Sequence, residues 1–252
     1  MTLSFRTKVR LTRWLILSLG LLSLEYVARA KLVGATVLIP PSIMVTHLWK
    51  LLSTGKLTPD LLRTGSEIGL SFLLAVLTGI PGGVLLYRFP LIYEILSPYL
   101  LAYYAVPMFA FYPLFIVLLG VTIFPIILIS WLFSVMILML NTAIGLQSVR
   151  PIYIKVGKSL RLSPARIFFK IHFPAATSYI FTGLKLGFIY ALIGVIAAEF
   201  ILSTEGLGYQ IAFAYNNFDT KGMYATLLLV ILLSVTMHIG LTRLEKRIFS
   251  AG

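Results

Sequence analysis

The sequence predicts an all-α membrane protein with six transmembrane helices and one large internal loop. Of its 252 residues, 59% are hydrophobic and only 12% charged, whereas a soluble domain carries about 25% charged residues. Residues 95–149 contain no Asp, Glu, Lys or Arg. As one helix they would run roughly 80 Å against about 30 Å of hydrocarbon, so they must cross twice. The apolar runs are continuous rather than alternating, which fits spanning helices and not barrel strands.

Each span follows from its own run. The first, Trp14–Leu24, is short and ends at Glu25. Basic residues precede it and Ala28-Arg29-Ala30 follows, so a cleavable signal peptide competes with the expected reading, a retained anchor. Ile68–Tyr87 is free of charge and supplies the second span. The long uncharged stretch breaks at Gly120, before Pro125, into spans near 95–119 and 122–145. Ala175–Ile201 is apolar except for Lys185 and Glu199, and Gly222–Thr242 is charge-free, giving the fifth and sixth spans. With the N-terminus inside, fourteen Lys and Arg fall on the inner face and six on the outer. That bias places both termini in the cytoplasm. We expect one permease-type domain over 1–252, with the core of the bundle at about 60–248 and an inner loop at 146–174.

Composition also excludes several chemistries. With no cysteine, there is no disulfide, thiolate metal site or cysteine nucleophile. His47, His172 and His238 are scattered and form no metal-ligand pair, so no metal site is expected. The net charge of +13 resides between apolar runs, which reads as lipid orientation rather than nucleic-acid binding. Gly157-Lys158-Ser159 looks like the end of a phosphate-binding loop, but the position that needs the first glycine is Ile152, and no strand precedes it.

The 146–174 loop is the most informative segment. Ile152, Val156, Leu160, Ile167, Phe168 and Ile171 interleave with basic residues at helical spacing. Pro151 and Pro164 suit helix starts and Ser163 suits an N-cap. The loop therefore reads as two short helices at an angle on the inner surface. One use for such a pair is contact with anionic lipid; the other is docking of a soluble partner.

The residues around this loop resemble the permeases of binding-protein-dependent ATP-binding-cassette importers. Those carry an E-A-A-x-x-x-G sequence, then a hydrophobic-x-Leu-Pro. Ile171-His172-Phe173-Pro174-Ala175-Ala176 fits the second part. Gly183-Leu184-Lys185, Ala197-Ala198-Glu199 and Gly206-Leu207-Gly208 follow in the family's order, as do Leu38-Ile39-Pro40-Pro41-Ser42 and Pro98, Pro107, Pro113 and Gly120 upstream. The nearest group imports sulfonates, taurine, nitrate or bicarbonate. The resemblance implies a type I importer permease in the cell inner membrane, coupled to two separate ATPase subunits. It also implies a second permease copy and an external binding protein. This chain itself would bind no cofactor and carry no catalytic residue, ATP and Mg being used by the partner subunits. The ATPase-coupling residues it implies are Tyr153, Lys155, Val156, Gly157, Leu160, Arg161, Ser163, Ile167, Phe168, Ile171 and Pro174. The chain departs from the motif at two places: Lys155 stands at the acidic position and Arg161 at the closing glycine. Either the turn is rebuilt, with Gly157 taking the strain, or this chain pairs with a different permease whose loop is standard.

Within the spans, Tyr104, Pro107, Met108 and Phe109 are candidates for the translocation pathway, since prolines free carbonyls that lipid does not tolerate. Asn141 is the one strongly polar side chain of the fourth span. Glu199 must face protein, water or a cation; it reads equally as a gate residue at the outer mouth or as a structural hydrogen-bonding group. Gly183, Gly187 and Gly194, with Ala191 and Ala198, form a small-residue face for close helix packing, against other helices or the second permease copy. A gradient-driven carrier or channel is the alternative function. It would need paired acidic residues in the spans or an inverted repeat, and neither is evident in the sequence.

Overall fold

A computed structural model of the chain describes residues 4–34, 37–103 and 106–249. The described residues form helices and connecting segments. In chain order the helices are α1 (Phe5–Arg29), α2 (Pro41–Ser53), α3 (Thr58–Arg88), α4 (Pro90–Tyr103), α5 (Tyr112–Leu119), α6 (Ile123–Gln147), α7 (Pro151–Ser159), α8 (Pro164–Ile167), α9 (Phe173–Leu202), α10 (Leu207–Asn216) and α11 (Thr220–Phe249). A 3₁₀ turn, Met108–Phe111, precedes α5, and a π turn, Phe168–His172, joins α8 to α9.

Five stretches among the described residues are long and apolar enough to cross a membrane: Thr7–Arg29, Thr58–Arg88, Ile123–Gln147, Pro164–Ile201 and Thr220–Arg247. The expected third span is not one helix. α4 ends at Tyr103, and the chain resumes as the 3₁₀ turn capped by Pro107. Proline lacks the N–H that would continue the ladder and disfavours helical backbone at the residue before it. The break expected at Gly120 is present: its φ of +77° ends α5, and Thr122 caps α6 by accepting from the Phe124 N–H.

α6 is the centre of the bundle, packed between α3 and α9. In lipid no hydrophobic force drives helices together, so close contact of small residues has to do it. A Cβ on Gly83 would lie 2.5 Å from the Thr142 Cβ, and one on Gly79 3.0 Å from the Val135 carbonyl oxygen. From the other side, a Cβ on Gly194 would lie 2.8 Å from the Ser130 Cα, and one on Gly183 2.9 Å from the Asn141 Cβ. Gly187 sits against Ser134, whose hydroxyl donates to the Gly187 carbonyl at 2.7 Å. The glycine face of α9 is thus filled by α6 of the same chain. By contrast, α1 is unburied along its apolar length. It is held to α2 through Glu25, which accepts from the Ser42 backbone N–H at 3.0 Å and from the Ser42 hydroxyl at 2.6 Å.

Candidate functional site

At one end of the bundle, α7 and α8 form a hairpin against the end of α3. Pro151 opens α7 at its first turn, where a missing N–H costs nothing. Gly157 is the contact point: a Cβ there would lie 2.7 Å from Ile171 Cδ1 and 3.3 Å from Ile167 Cγ1. α7 ends in a left-handed cap. The Arg161 N–H donates to the Lys158 carbonyl at 2.9 Å and the Leu162 N–H to the Gly157 carbonyl at 3.1 Å. The residue in the left-handed region is Arg161 itself, with φ of +53°. Gly157 is helical and does not take the strain, because its lack of a side chain is used for packing.

Ser163 caps α8, its hydroxyl accepting from the Arg166 N–H. The second short helix is not a separate surface element, however. It runs through the π turn into α9, so that Pro164–Ile201 is continuous. Pro174 lies at the first turns of α9 and has no N–H to give; the π turn ahead of it lets the chain pass without an α-helical bond at that place.

The residues expected to couple the loop divide into two sets. Gly157 and Ile167 are buried and Phe168 and Ile171 half-buried, holding the hairpin together. Tyr153, Lys155, Val156, Leu160, Arg161, Ser163 and Pro174 are exposed. Beside the hairpin is a cleft of about 640 Å³, bordered by Tyr87 and Arg88 of α3, Ile154 and Lys158 of α7, and His172. The Tyr87 hydroxyl lies 3.1 Å from the ring nitrogens of the buried His172.

At the opposite end, α9 and α3 grip the start of α10. Glu199 is fully buried. Its Oε1 accepts from the Thr64 hydroxyl at 2.7 Å and its Oε2 from the Gly208 N–H at 2.8 Å. Asp60 accepts from the Gly206 N–H at 2.7 Å and from the Gln210 amide at 2.9 Å, and the Leu207 N–H donates to Thr64 at 2.9 Å. The first N–H groups of α10, which no helical carbonyl can satisfy, are therefore met by two carboxylates and a hydroxyl. Gly206, with φ of +103°, lies so close to the Glu199 carboxylate that a Cβ would overlap it. Arg63 donates to Glu67 at 3.1 Å and also pairs with Glu205. Glu67 is fully buried against the Glu199 carboxyl, and its Oε2 meets no N–H or hydroxyl donor among the described residues.

Sequence reasoning found Glu199 but missed Asp60, Thr64 and Glu67. The signal was present: Asp60, Arg63, Thr64 and Glu67 recur at helical spacing just before a charge-free run, marking a polar face on the same helix. Lys185, which lies within α9, pairs with Glu245 of α11 at 2.7 Å.

The candidate pathway residues sit in different surroundings within the chain. Met108 is buried, and Phe109 packs against Phe133 with ring centroids 4.8 Å apart. Pro107 is exposed. Asn141 donates to its own helix at Ile137, 2.7 Å away, and faces Gly183 of α9. Tyr104 lies outside the described residues. Among the described residues, no group of three or more His, Asp or Glu side chains is placed to hold a metal ion.

Comparison with known proteins agrees with this arrangement. The taurine transport system permease protein TauC of Escherichia coli is 27% identical over 248 residues, which is 94% of this chain and 90% of that protein. The nitrate import permease protein NrtB of Synechocystis sp. is 31% identical over 152 residues, 60% of this chain but only 55% of its own length. The bicarbonate transport system permease protein CmpB of the same organism is 31% identical over 183 residues, 72% of this chain and 65% of that one. In fold, the chain is similar to a chain of the inward-facing MetNI methionine ABC transporter, with a TM-score of 0.65 at 18% identity over 76% of this chain and 95% of that one. Residues 70–250 match the family described as binding-protein-dependent transport system inner membrane component. That match spans well over half of the sequence and takes in the hairpin and the Glu199 and α10 side of the polar knot, so the chain belongs to this family of inner membrane permease components.

Proposed function

We propose that the chain forms one half of the translocation pathway of an ATP-driven importer for a small polar or anionic solute. In this reading the hairpin end is cytoplasmic, as the excess of Lys and Arg there requires. Both termini then lie inside, and α4 and α5 together complete a sixth crossing. The whole chain acts as one permease domain, with its helical core at about 60–248. It binds no cofactor; ATP and Mg belong to two separate ATPase subunits docked on the α7–α8 hairpin. An external binding protein delivers the solute, and a second permease supplies the other half of the pathway. Nitrate, taurine and bicarbonate, named in the relatives, define the first solutes to test.

One observation carries this reading. The hairpin and the polar knot are joined by a single helix, Pro164–Ile201, of 38 residues. At 1.5 Å per residue it is roughly 57 Å long, enough to cross the bilayer and reach beyond it. A push on the hairpin is therefore delivered to the knot around Glu199 without an intervening loop. Rigid movement of this kind is what alternating access needs. In this scheme Glu199 acts by holding α10 at the outer mouth, and Met108, Phe109, Pro107, Tyr104 and Asn141 line or support the pathway when two permeases are assembled.

The test is reconstitution of the chain with its neighbouring ATPase, binding protein and any second permease in proteoliposomes. ATP-dependent uptake of a labelled anion, abolished by omitting the ATPase, is the expected result. Uptake that follows an ion gradient and ignores ATP would replace this reading with a secondary carrier. Native mass spectrometry of the same complex counts the permease copies and separates a homodimer from a mixed pair.

A further inference from the structure

We infer that the outward face of α7 is charge-matched to one class of ATPase subunit, whose receiving groove has an apolar floor and an acidic rim, and that Lys155 and Arg161 are the selecting residues. The inference rests on the hairpin being the ATPase-docking element.

The charge is one-sided. Arg150, Lys155, Lys158, Arg161, Arg166 and Lys170 are all exposed, and no Asp or Glu occurs anywhere between Glu94 and Glu199. None of the six takes part in an ion pair among the described residues. The hairpin thus presents six positive charges that no ion pair among the described residues neutralises.

The face also has a defined chemistry. Gly157 and Ile154 turn towards the rest of the chain, Gly157 against Ile167 and Ile171. The opposite stripe, at i, i+3, i+4 and i+7, is Ile152, Lys155, Val156 and Ser159. Ile152 is 57% exposed and Val156 50%, with Leu160 at 68% beside them. Apolar and basic side chains therefore share one surface. A helix lying in a membrane separates them, apolar side to the lipid and charges to the water. In α7 the side at Gly157 and Ile154 is already packed on protein, so exposed Ile152, Tyr153, Val156 and Leu160 share the remaining outward surface with Lys155. A mixed face with apolar centre and charged edge is what a protein interface looks like. A second copy of this chain is excluded as the occupant, since it would bring the same six positive charges.

Arg161 adds a separate observation. A left-handed backbone at a residue with a side chain is strained and persists only where its surroundings enforce it. Here the two cap bonds enforce it, and the Arg161 side chain projects exposed beside Leu160. Its guanidinium offers a planar fork suited to a carboxylate.

The experiment uses the full chain in detergent with the ATPase encoded beside it, measuring affinity at low and high potassium chloride. The expected result is binding that weakens as salt rises, and that falls at least about tenfold for Lys155→Glu and for Arg161→Glu. Lys155→Arg, which keeps the charge, should lose much less affinity than Lys155→Glu. Changing the facing carboxylate of the ATPase to Lys should restore binding to Lys155→Glu and weaken binding to the unaltered permease. An ATPase that binds the unaltered chain and the Lys155→Glu and Arg161→Glu variants alike, without salt dependence, overturns the charge match but leaves ATPase docking intact. An unaltered chain that holds no ATPase at any salt overturns the docking reading itself. Loss of bound phosphatidylglycerol from Lys155→Glu, with ATPase affinity unchanged, would assign the face to lipid instead.

Discussion

At the scale of single residues, the strongest constraints are hydrogen bonds that have no substitute. Glu199 accepts two bonds with two oxygens, from Thr64 and from Gly208. Glutamine keeps one acceptor and puts an amide against the other donor, so Glu199→Gln should cost about 1–3 kcal/mol. Glu67 is placed differently. Its carboxyl is buried against that of Glu199; Oε1 accepts from Arg63, while Oε2 meets no N–H or hydroxyl donor among the described residues. Glu67→Gln keeps the bonded oxygen and removes a buried charge, so it should leave stability unchanged or raise it by about 1 kcal/mol. Thermal unfolding of the two variants in the same detergent, compared with the unaltered chain, checks the asymmetry; equal losses would contradict it. Arg161 gives a second contrast. Relieving a left-handed arginine should stabilise the isolated permease by about 1 kcal/mol in Arg161→Gly. If Arg161 also selects the ATPase, the same variant should bind that subunit less well, so stability and docking move in opposite directions. The sequence identified Arg161 as the anomaly but offered Gly157 as the residue that would take its strain. Nothing in the local pattern said that Gly157 was needed against Ile171, a contact between residues fourteen apart and made only after the hairpin closes.

At the scale of helices, small residues determine which elements meet. The face of α9 at Gly183, Gly187 and Gly194 was readable from spacing alone. A matching face on α3, Ala75-Gly79-Gly83, has the same spacing of four and was overlooked. Both face α6, where Gly79 and Gly83 stand against Val135 and Thr142, and Gly194 against Ser130. Gly83→Leu and Gly194→Leu should each prevent the close approach, costing about 3 kcal/mol or more through overpacking and displaced neighbours. Gly20→Leu, on the unburied α1 with nothing within 4 Å of a Cβ, should cost nothing measurable. Folded yield in detergent, judged by monodisperse gel filtration, separates these outcomes. Span positions were legible because charge-free runs are a strong signal. Helix interruption was less so: the prolines at 98, 107 and 113 are all in the sequence, yet Pro107 coincides with a break and Pro113 opens α5, while Pro98 sits inside α4. Proline shows where a helix is able to break, and tertiary packing decides whether it does.

At the scale of the whole molecule, the chain is a three-helix centre with a packed α2–α10–α11 flank and a loosely attached α1. α3, α6 and α9 form the centre, tied at one end by the hairpin and at the other by the knot. α1 is joined mainly through Glu25, Arg29 and Ser42, whereas α11 buries Ala225 and Leu229 against Leu48, Leu57 and Leu207 and adds the Lys185–Glu245 pair and a bond from the Tyr224 hydroxyl to the Val37 carbonyl at 2.6 Å. Removal of residues 1–33 should therefore leave the melting temperature of the remainder within a few degrees, whereas Lys185→Ala should lower stability by about 1–3 kcal/mol by stranding a largely buried Glu245. A large drop on removing α1 would show that it supports the centre in a way its exposure does not suggest. The knot escaped the sequence reading for a reason of scale. Asp60 and Gly206 are 146 positions apart, and no local pattern connects them.

The unbroken helix from Pro164 to Ile201 also sets what evolution is free to alter. One residue inserted between Pro174 and Ala198 turns everything beyond it by roughly 100° and advances it by about 1.5 Å. Glu199 would then point away from Thr64 and Gly208, and the glycine face would rotate off α6. The outward surface of α7 has no such constraint, since Ile152, Lys155, Val156 and Leu160 are exposed. Lineages of this permease can therefore change partners by substitution in α7, while insertions and deletions are barred from α9. A library of single-alanine insertions through both segments, selected for transport, should recover survivors only outside 174–198.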